Sequence, residues 1–221
     1  MAMLNWAVIP EGVSFVLLDH DDTQVGTIEA KRAAHRLCAR MHYRRRISDA
    51  MFREHWGKPL PVLCGLLYGD QNPEQALARY LAMQHEFPKH LFPYTVPVLH
   101  ELRTEGLLVG VVTATIRQSL EEDWTNLGID PASFDYSQAV EDSTVHKPFP
   151  GVYDPLRIWL REHGILQEQV LCVGDGLLDR AAAVDARFHF LGVCTGIVTI
   201  EQFEAAGAAA VPDLGCLIAQ P

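Results

Sequence analysis

Two aspartates two residues apart, Asp19 and Asp21, close the apolar run Val13-Ser14-Phe15-Val16-Leu17-Leu18 in the segment Asp19-His20-Asp21-Asp22-Thr23. In extended chain, side chains at i and i+2 point the same way. Two like unit charges about 4 Å apart repel by about 4 kcal/mol at an effective dielectric of about 20. The pair therefore asks for a cation. A bound metal ion would meet that need, leaving one carboxylate available as a nucleophile and the other as an acid or base. Taken alone the segment is ambiguous, because Asp favours turns that follow strands for purely local reasons.

Three further polar clusters occur downstream. Thr113-Ala114 follows Val109-Gly110-Val111-Val112; its hydroxyl is a donor for a phosphate oxygen or only a turn and cap residue. Lys147, in Val145-His146-Lys147-Pro148, is a fixed cation that offsets carboxylates and a charged substrate, or an ordinary solvated surface charge. Gly174-Asp175-Gly176-Leu177-Leu178-Asp179 follows Val170-Leu171-Cys172-Val173. Once a helix starts there, the four-residue spacing brings Asp175 and Asp179 to one side. The two glycines are not a dinucleotide fingerprint, since Asp179 puts a charge where the third glycine would meet pyrophosphate.

These clusters need a scaffold. The run Ser14–Leu18 and the later runs 107–112, 134–137, 170–173 and 188–193 read as strands, and the longest are continuously apolar, as in a parallel sheet covered on both faces. Helical patterns alternate with them at Val96–Thr104, Arg117–Leu127, Val152–His163, Leu178–Ala186 and Ile200–Ala206, with Gly128 and Gly164 as C-terminal stops and Pro97 and Pro155 placed in first turns. That alternation predicts an α/β, doubly wound parallel sheet. Between Thr23 and Phe92 there is no strand signal. Four helices are expected there: Thr27–Tyr43, with Thr27 as its cap, Ser48–Trp56, Pro61–Tyr68 and Pro73–His85, with a break at Gly57-Lys58-Pro59. Residues 24–91 thus form an all-helical insertion in a core made of 1–23 and 92–221.

The order of the four clusters, each at or near a strand end, resembles the haloacid dehalogenase superfamily of hydrolases, and the likeness runs from about Phe15 to Leu217. Neighbouring residues match as well: Asp22-Thr23 after the pair, Lys147-Pro148-Phe149-Pro150 ahead of a helix, and Asp179-Arg180-Ala181-Ala182-Ala183. The helical insertion is similar to the cap of the branch that includes phosphoglycolate phosphatase and beta-phosphoglucomutase, over a Rossmann-like core. The resemblance implies that Asp19 attacks phosphorus to form an aspartyl-phosphate, while Asp21 protonates the leaving oxygen and then takes a proton from water. It implies a magnesium ion held by Asp19, the Asp21 backbone carbonyl and Asp175, an all-oxygen set that suits Mg²⁺. Asp179 would support the metal's waters or Lys147 from behind, Thr113 and the Ala114 amide would hold phosphate oxygens, and Lys147 would neutralise charge. His20 and Gln24 stand where apolar residues are usual, and Asp22 where Gly is frequent.

Substrate contacts beyond phosphate fall to the cap. Lys58 is the first candidate, followed by the basic faces bearing Arg36 and Arg40; Arg44-Arg45-Arg46 reads as a solvated helix-end run. The chain has 221 residues, 48% apolar and 21% charged, with a net charge of -10. An acidic balance argues against generic binding to nucleic acid or to anionic membranes. The five cysteines show no zinc spacing and read as free thiols, with Cys172 and Cys194 as small buried hydrophobes. None of the ten histidines pairs at i, i+4. No leader pattern or run of about 18 apolar residues is present, so the expectation is a cytoplasmic monomer or homodimer. The leading reading is a magnesium-dependent phosphatase of a small phosphorylated metabolite. Its rivals are a phosphomutase of the beta-phosphoglucomutase type and a catalytically idle binding protein on the same fold.

Overall fold

A computed structural model describes residues 3–219 except 57, 59 and 85. Gly57, Pro59 and His85, named above in a helix break and at a helix end, lie outside the described residues. The chain divides into two compact units, Met1–Gly26 with Leu91–Pro221, and Thr27–His90.

The first unit is built on six parallel strands. They are β1 (Phe15–Leu18), β4 (Leu108–Val112), β5 (Tyr136–Gln138), β6 (Val170–Gly174), β7 (His189–Val193) and β8 (Ala209–Val211), in the spatial order β5-β4-β1-β6-β7-β8. Two-residue strands β2 (Val25–Gly26) and β3 (His90–Leu91) correct the expectation of no strand between Thr23 and Phe92. They are too short to carry a periodic signal.

The period-2 alternation of β1 feeds two separate cores. Val16 and Leu18 join Val109, Val111, Leu171 and Val173 beneath α5 (Thr95–Thr104) and α6 (Arg117–Leu127). Phe15 and Leu17 join Val170 and Cys172 beneath α7 (Asp154–Glu162) and α8 (Leu177–Asp185). A strand buried on both faces must be apolar at every position, and all four residues of β1 are buried. The last helix is α9 (Ile200–Ala205). Helices therefore cover both faces of the sheet, as a doubly wound α/β fold requires.

The second unit contains α1 (Ile28–Tyr43), α2 (Asp49–His55), α3 (Leu60–Tyr68) and α4 (Pro73–Gln84). Ala34, Cys38, Phe52, Leu63, Leu67 and Tyr80 belong to its core. His35 is buried in it, with Nδ1 2.7 Å from the Tyr68 hydroxyl and its ring stacked on Tyr80. Burial pulls the His35 pKa down to about 3, helped by the Lys31 charge; the imidazole is a neutral structural group. Ser48 caps α2 by accepting from the Met51 amide. Thr27 makes no such side-chain bond to α1, because its backbone is already helical (φ −117°, ψ −26°) rather than extended.

Candidate active site

β1 is the central strand at which the sheet order reverses, since the chain adds β4 and β5 on one side and β6, β7 and β8 on the other. Ligands of such sheets bind beyond the carboxyl ends of the strands at this switch point. Leu18 is level with Val111 of β4 and with Val173 of β6. The residues leaving these three strands, Asp19, Thr113 and Asp175, thus emerge along one edge. The Asp19 amide donates to the Val173 carbonyl at 2.9 Å, and the Thr113 amide to the Gln138 carbonyl at 3.0 Å.

The turn after β1 is stitched to itself. The Gln24 side-chain amide donates to the Asp19 carbonyl at 2.9 Å. The His20 carbonyl accepts from the Gln24 and Val25 amides at 3.0 and 3.2 Å, and the Asp22 amide donates to the Val25 carbonyl at 2.7 Å. Asp22 adopts the left-handed conformation, φ 55°, which Asp tolerates better than most residues. The Thr195 hydroxyl donates to its carbonyl from the loop after β7.

Charge converges on this edge. Lys147 Nζ donates to Asp19 Oδ1 at 2.8 Å and to the Val112 carbonyl at 3.1 Å, and forms an ion pair with Asp179. The Lys147 and Asp19 side chains are only 11% and 10% exposed, so the pair is poorly screened. Burial raises the Asp19 carboxyl to about 6; Lys147 pulls it down, while Asp179 and Asp21 push it up. Asp175 is held well above the ordinary carboxyl range by burial, then by Asp179, Asp19 and Asp22. Burial alone would lower the Lys147 ammonium, but Asp179 and Asp19 outweigh it and hold it well above its usual value. Asp19 and Asp179 thus both contact the buried Lys147 ammonium, and Asp175 lies beside them.

Asp19, Asp175, Asp179 and Lys147 are therefore brought together. One carboxylate oxygen from each of the three aspartates lies within 4.8 Å of the others. Asp179 is a member of this group, and its Oδ2 also accepts from the Gly176 amide at 3.1 Å. This hard, all-oxygen donor set fits a divalent cation such as Mg²⁺. Asp21 Oδ2 accepts the Thr115 hydroxyl at 2.5 Å. Thr113 and Ala114 line a small cleft together with Gln138, Ser143, His146 and Lys147.

Lys58 belongs to the helical unit, exposed, with Nζ 3.0 Å from His55 Nδ1. Arg36 is engaged within that unit by Asp49 at 2.8 Å and the Ile47 carbonyl. Cys194 is partly exposed at the end of β7, not buried, while Cys172 is buried, and all five thiols are free. Thr115 is a site residue that the motifs do not single out. Its one signal in the sequence is its place two residues beyond Thr113, to whose hydroxyl its amide donates at 3.0 Å.

The fold and the site together define a doubly wound α/β protein with a carboxylate cluster at its switch point and a helical unit inserted after the first strand. The chain belongs to the haloacid dehalogenase-like hydrolase family, whose model matches residues 16–193. A structure from Bacteroides fragilis, provisionally described as a haloacid dehalogenase-like hydrolase, is similar with a TM-score of 0.78 at 25% identity over 92% of this chain and 98% of that one. A Thermotoga maritima protein provisionally described as a beta-phosphoglucomutase shares the fold, with a TM-score of 0.73 at 20% identity over 92% and 95%. So does one from Haemophilus somnus 129pt described as a predicted phosphoglycolate phosphatase, with a TM-score of 0.75 at 19% identity over 92% and 96%. A comparison with curated proteins found no match. Among the described residues, no helix is long and apolar enough to cross a membrane.

Proposed function

We propose that the protein is a magnesium-dependent phosphatase that hydrolyses a small phosphorylated metabolite through an aspartyl-phosphate on Asp19. The observation that carries this reading is the buried contact of Lys147 with Asp19 beside Asp175 and Asp179, set at the sheet's switch point.

Asp19 is the nucleophile. Its carboxylate attacks phosphorus and the bond from phosphorus to the ester oxygen breaks. With its carboxyl raised only to about 6, it is mostly ionised at neutral pH. Asp21, two residues on, gives its proton to the departing oxygen and then takes one from the water that attacks the aspartyl-phosphate, which frees Asp19. The Thr115 hydroxyl holds Asp21 Oδ2 and restricts where that proton is delivered. Thr113 and the Ala114 amide bind phosphate oxygens at the cleft, and Lys147 balances charge on the transferring group. Asp19, Asp175 and the Asp21 carbonyl, with Asp179, would hold a Mg²⁺ ion, which when bound neutralises phosphate charge as the transition state forms. Lys58 is the proposed cap contact to the rest of the substrate.

A panel of phosphate esters assayed with and without Mg²⁺ tests the reading. Phosphate release that needs Mg²⁺ and is lost in Asp19→Asn supports it. Release that survives either chelation or that substitution contradicts it. Isomerised sugar phosphate in place of free phosphate would mark a mutase instead.

A further inference from the structure

We infer that His20 and Asp123 form a positioning pair for the Asp19–Asp21 turn, fixing the turn on the segment that carries Thr113 and Thr115. The inference rests on the proposed roles of Asp19 and Asp21.

His20 is fully buried although it sits between two aspartates of the site. Its Nε2 is 3.0 Å from Asp123 Oδ2, a contact that spans 103 residues. The two atoms are at hydrogen-bond distance, with the imidazole tautomer setting which of them donates. Asp123 is 8% exposed and occupies an inward position of α6, beside Leu120 and Trp124. Burying an aspartate in the helical layer is costly unless it is hydrogen-bonded, and an apolar pair would fill that space without the cost. The pair must therefore supply something that apolar packing does not.

What it supplies is direction. α6 starts at Arg117, directly after Thr113-Ala114-Thr115-Ile116. His20 is bonded through the peptide to both Asp19 and Asp21. The turn is thus tied to one continuous segment at two points, by Asp21 with Thr115 and by His20 with Asp123. These two tethers add to the bonds within the turn and set its place against the segment that carries Thr113 and Thr115. Neither His20 nor Asp123 needs to touch substrate for this.

The variants are His20→Leu, Asp123→Leu, Asp123→Asn and the double His20→Leu/Asp123→Leu. Each is measured for kcat and KM on the best ester of the panel, for Mg²⁺ affinity by calorimetry without substrate, and for melting temperature. His20→Leu and Asp123→Leu should each lower kcat or weaken Mg²⁺ binding by about 10–100-fold, the usual cost of losing a partner that orients a site group. KM should stay within about threefold, and Asp123→Asn, which keeps an acceptor, should recover most of the loss. The double variant should fall no further than either single one, as expected for two residues acting through one contact.

A folded His20→Leu protein with wild-type kcat and Mg²⁺ affinity overturns the inference, as do losses that multiply in the double variant. Should His20→Leu fail to fold, the contrast between Asp123→Asn and Asp123→Leu decides the same question. If the wild type hydrolyses nothing, the phosphatase reading fails by itself. The calorimetric titration then still decides the pair: weakened Mg²⁺ binding sustains it and unchanged binding overturns it.

Discussion

Asp19 and Asp21 are of the same residue type, two positions apart, yet their surroundings differ. Asp19 faces Lys147 at 2.8 Å beside two other carboxylates, which suits a nucleophile whose charge must be held in check. Asp21 is held by the Thr115 hydroxyl, which suits a group that delivers a proton along a fixed direction. Replacing Asp21 by Asn should lower kcat by about 10²–10⁴-fold with little change in KM, the usual range for loss of an acid–base group. Replacing Thr115 by Val should cost up to about tenfold in kcat, the net worth of one hydrogen bond. Steady-state kinetics on one substrate reads both. A Thr115→Val protein as impaired as Asp21→Asn would mean that Thr115 has a more direct part in the reaction.

At the scale of elements, the strands that carry the site must pack closely on their helices. A Cβ on Gly192 of β7 would lie 2.8 Å from the Phe203 ring of α9. Gly192→Ala should therefore destabilise the protein by about 1–3 kcal/mol, the cost of overpacking. Chemical denaturation checks this. The same packing explains which elements are legible in the sequence. β1, β4, β6 and β7 read as apolar runs because they are covered on both faces. The strand expected over 134–137 occurs as β5 at Tyr136–Gln138, since Phe134 stacks on Trp124 and serves a helix. β8 is not foreseen, because a three-residue edge strand of Ala and Val has no distinctive pattern. The aspartates and Lys147 are legible because each follows a strand or sits in a Pro-marked loop. Thr115 on Asp21, Asp123 on His20 and Thr195 on Asp22 are not, because each contact joins segments 94, 103 or 173 residues apart.

Over the whole molecule, the buried carboxylates make stability depend on pH and on metal together. Asp19 is raised in the folded state to about 6 from its ordinary 3.8, so the folded protein holds this proton more tightly than the unfolded chain. Its contribution to stability is fully present below about pH 3.8 and is lost as pH rises through about 6. Asp175 is shifted in the same direction. The metal-free protein is thus penalised at neutral pH by the charges that a cation would use. Mg²⁺ should raise the melting temperature more at about pH 7.5 than at about pH 5, where it must displace protons. Thermal unfolding at the two pH values tests this; an equal or larger gain at the lower pH would contradict it.

Everything proposed for the reaction turns on whether Asp19 carries the phosphoryl group. An acid quench during turnover with Mg²⁺ and an active ester, followed by mass spectrometry of the Asp19-containing peptide, reads this without an intermediary. A phosphoryl adduct on Asp19 is expected in the wild type, with more of it in Asp21→Asn, where attack by water is slowed, and none in Asp19→Asn. Steady turnover with no adduct in the wild type or in Asp21→Asn, or hydrolysis that persists in Asp19→Asn, would contradict a covalent role for Asp19.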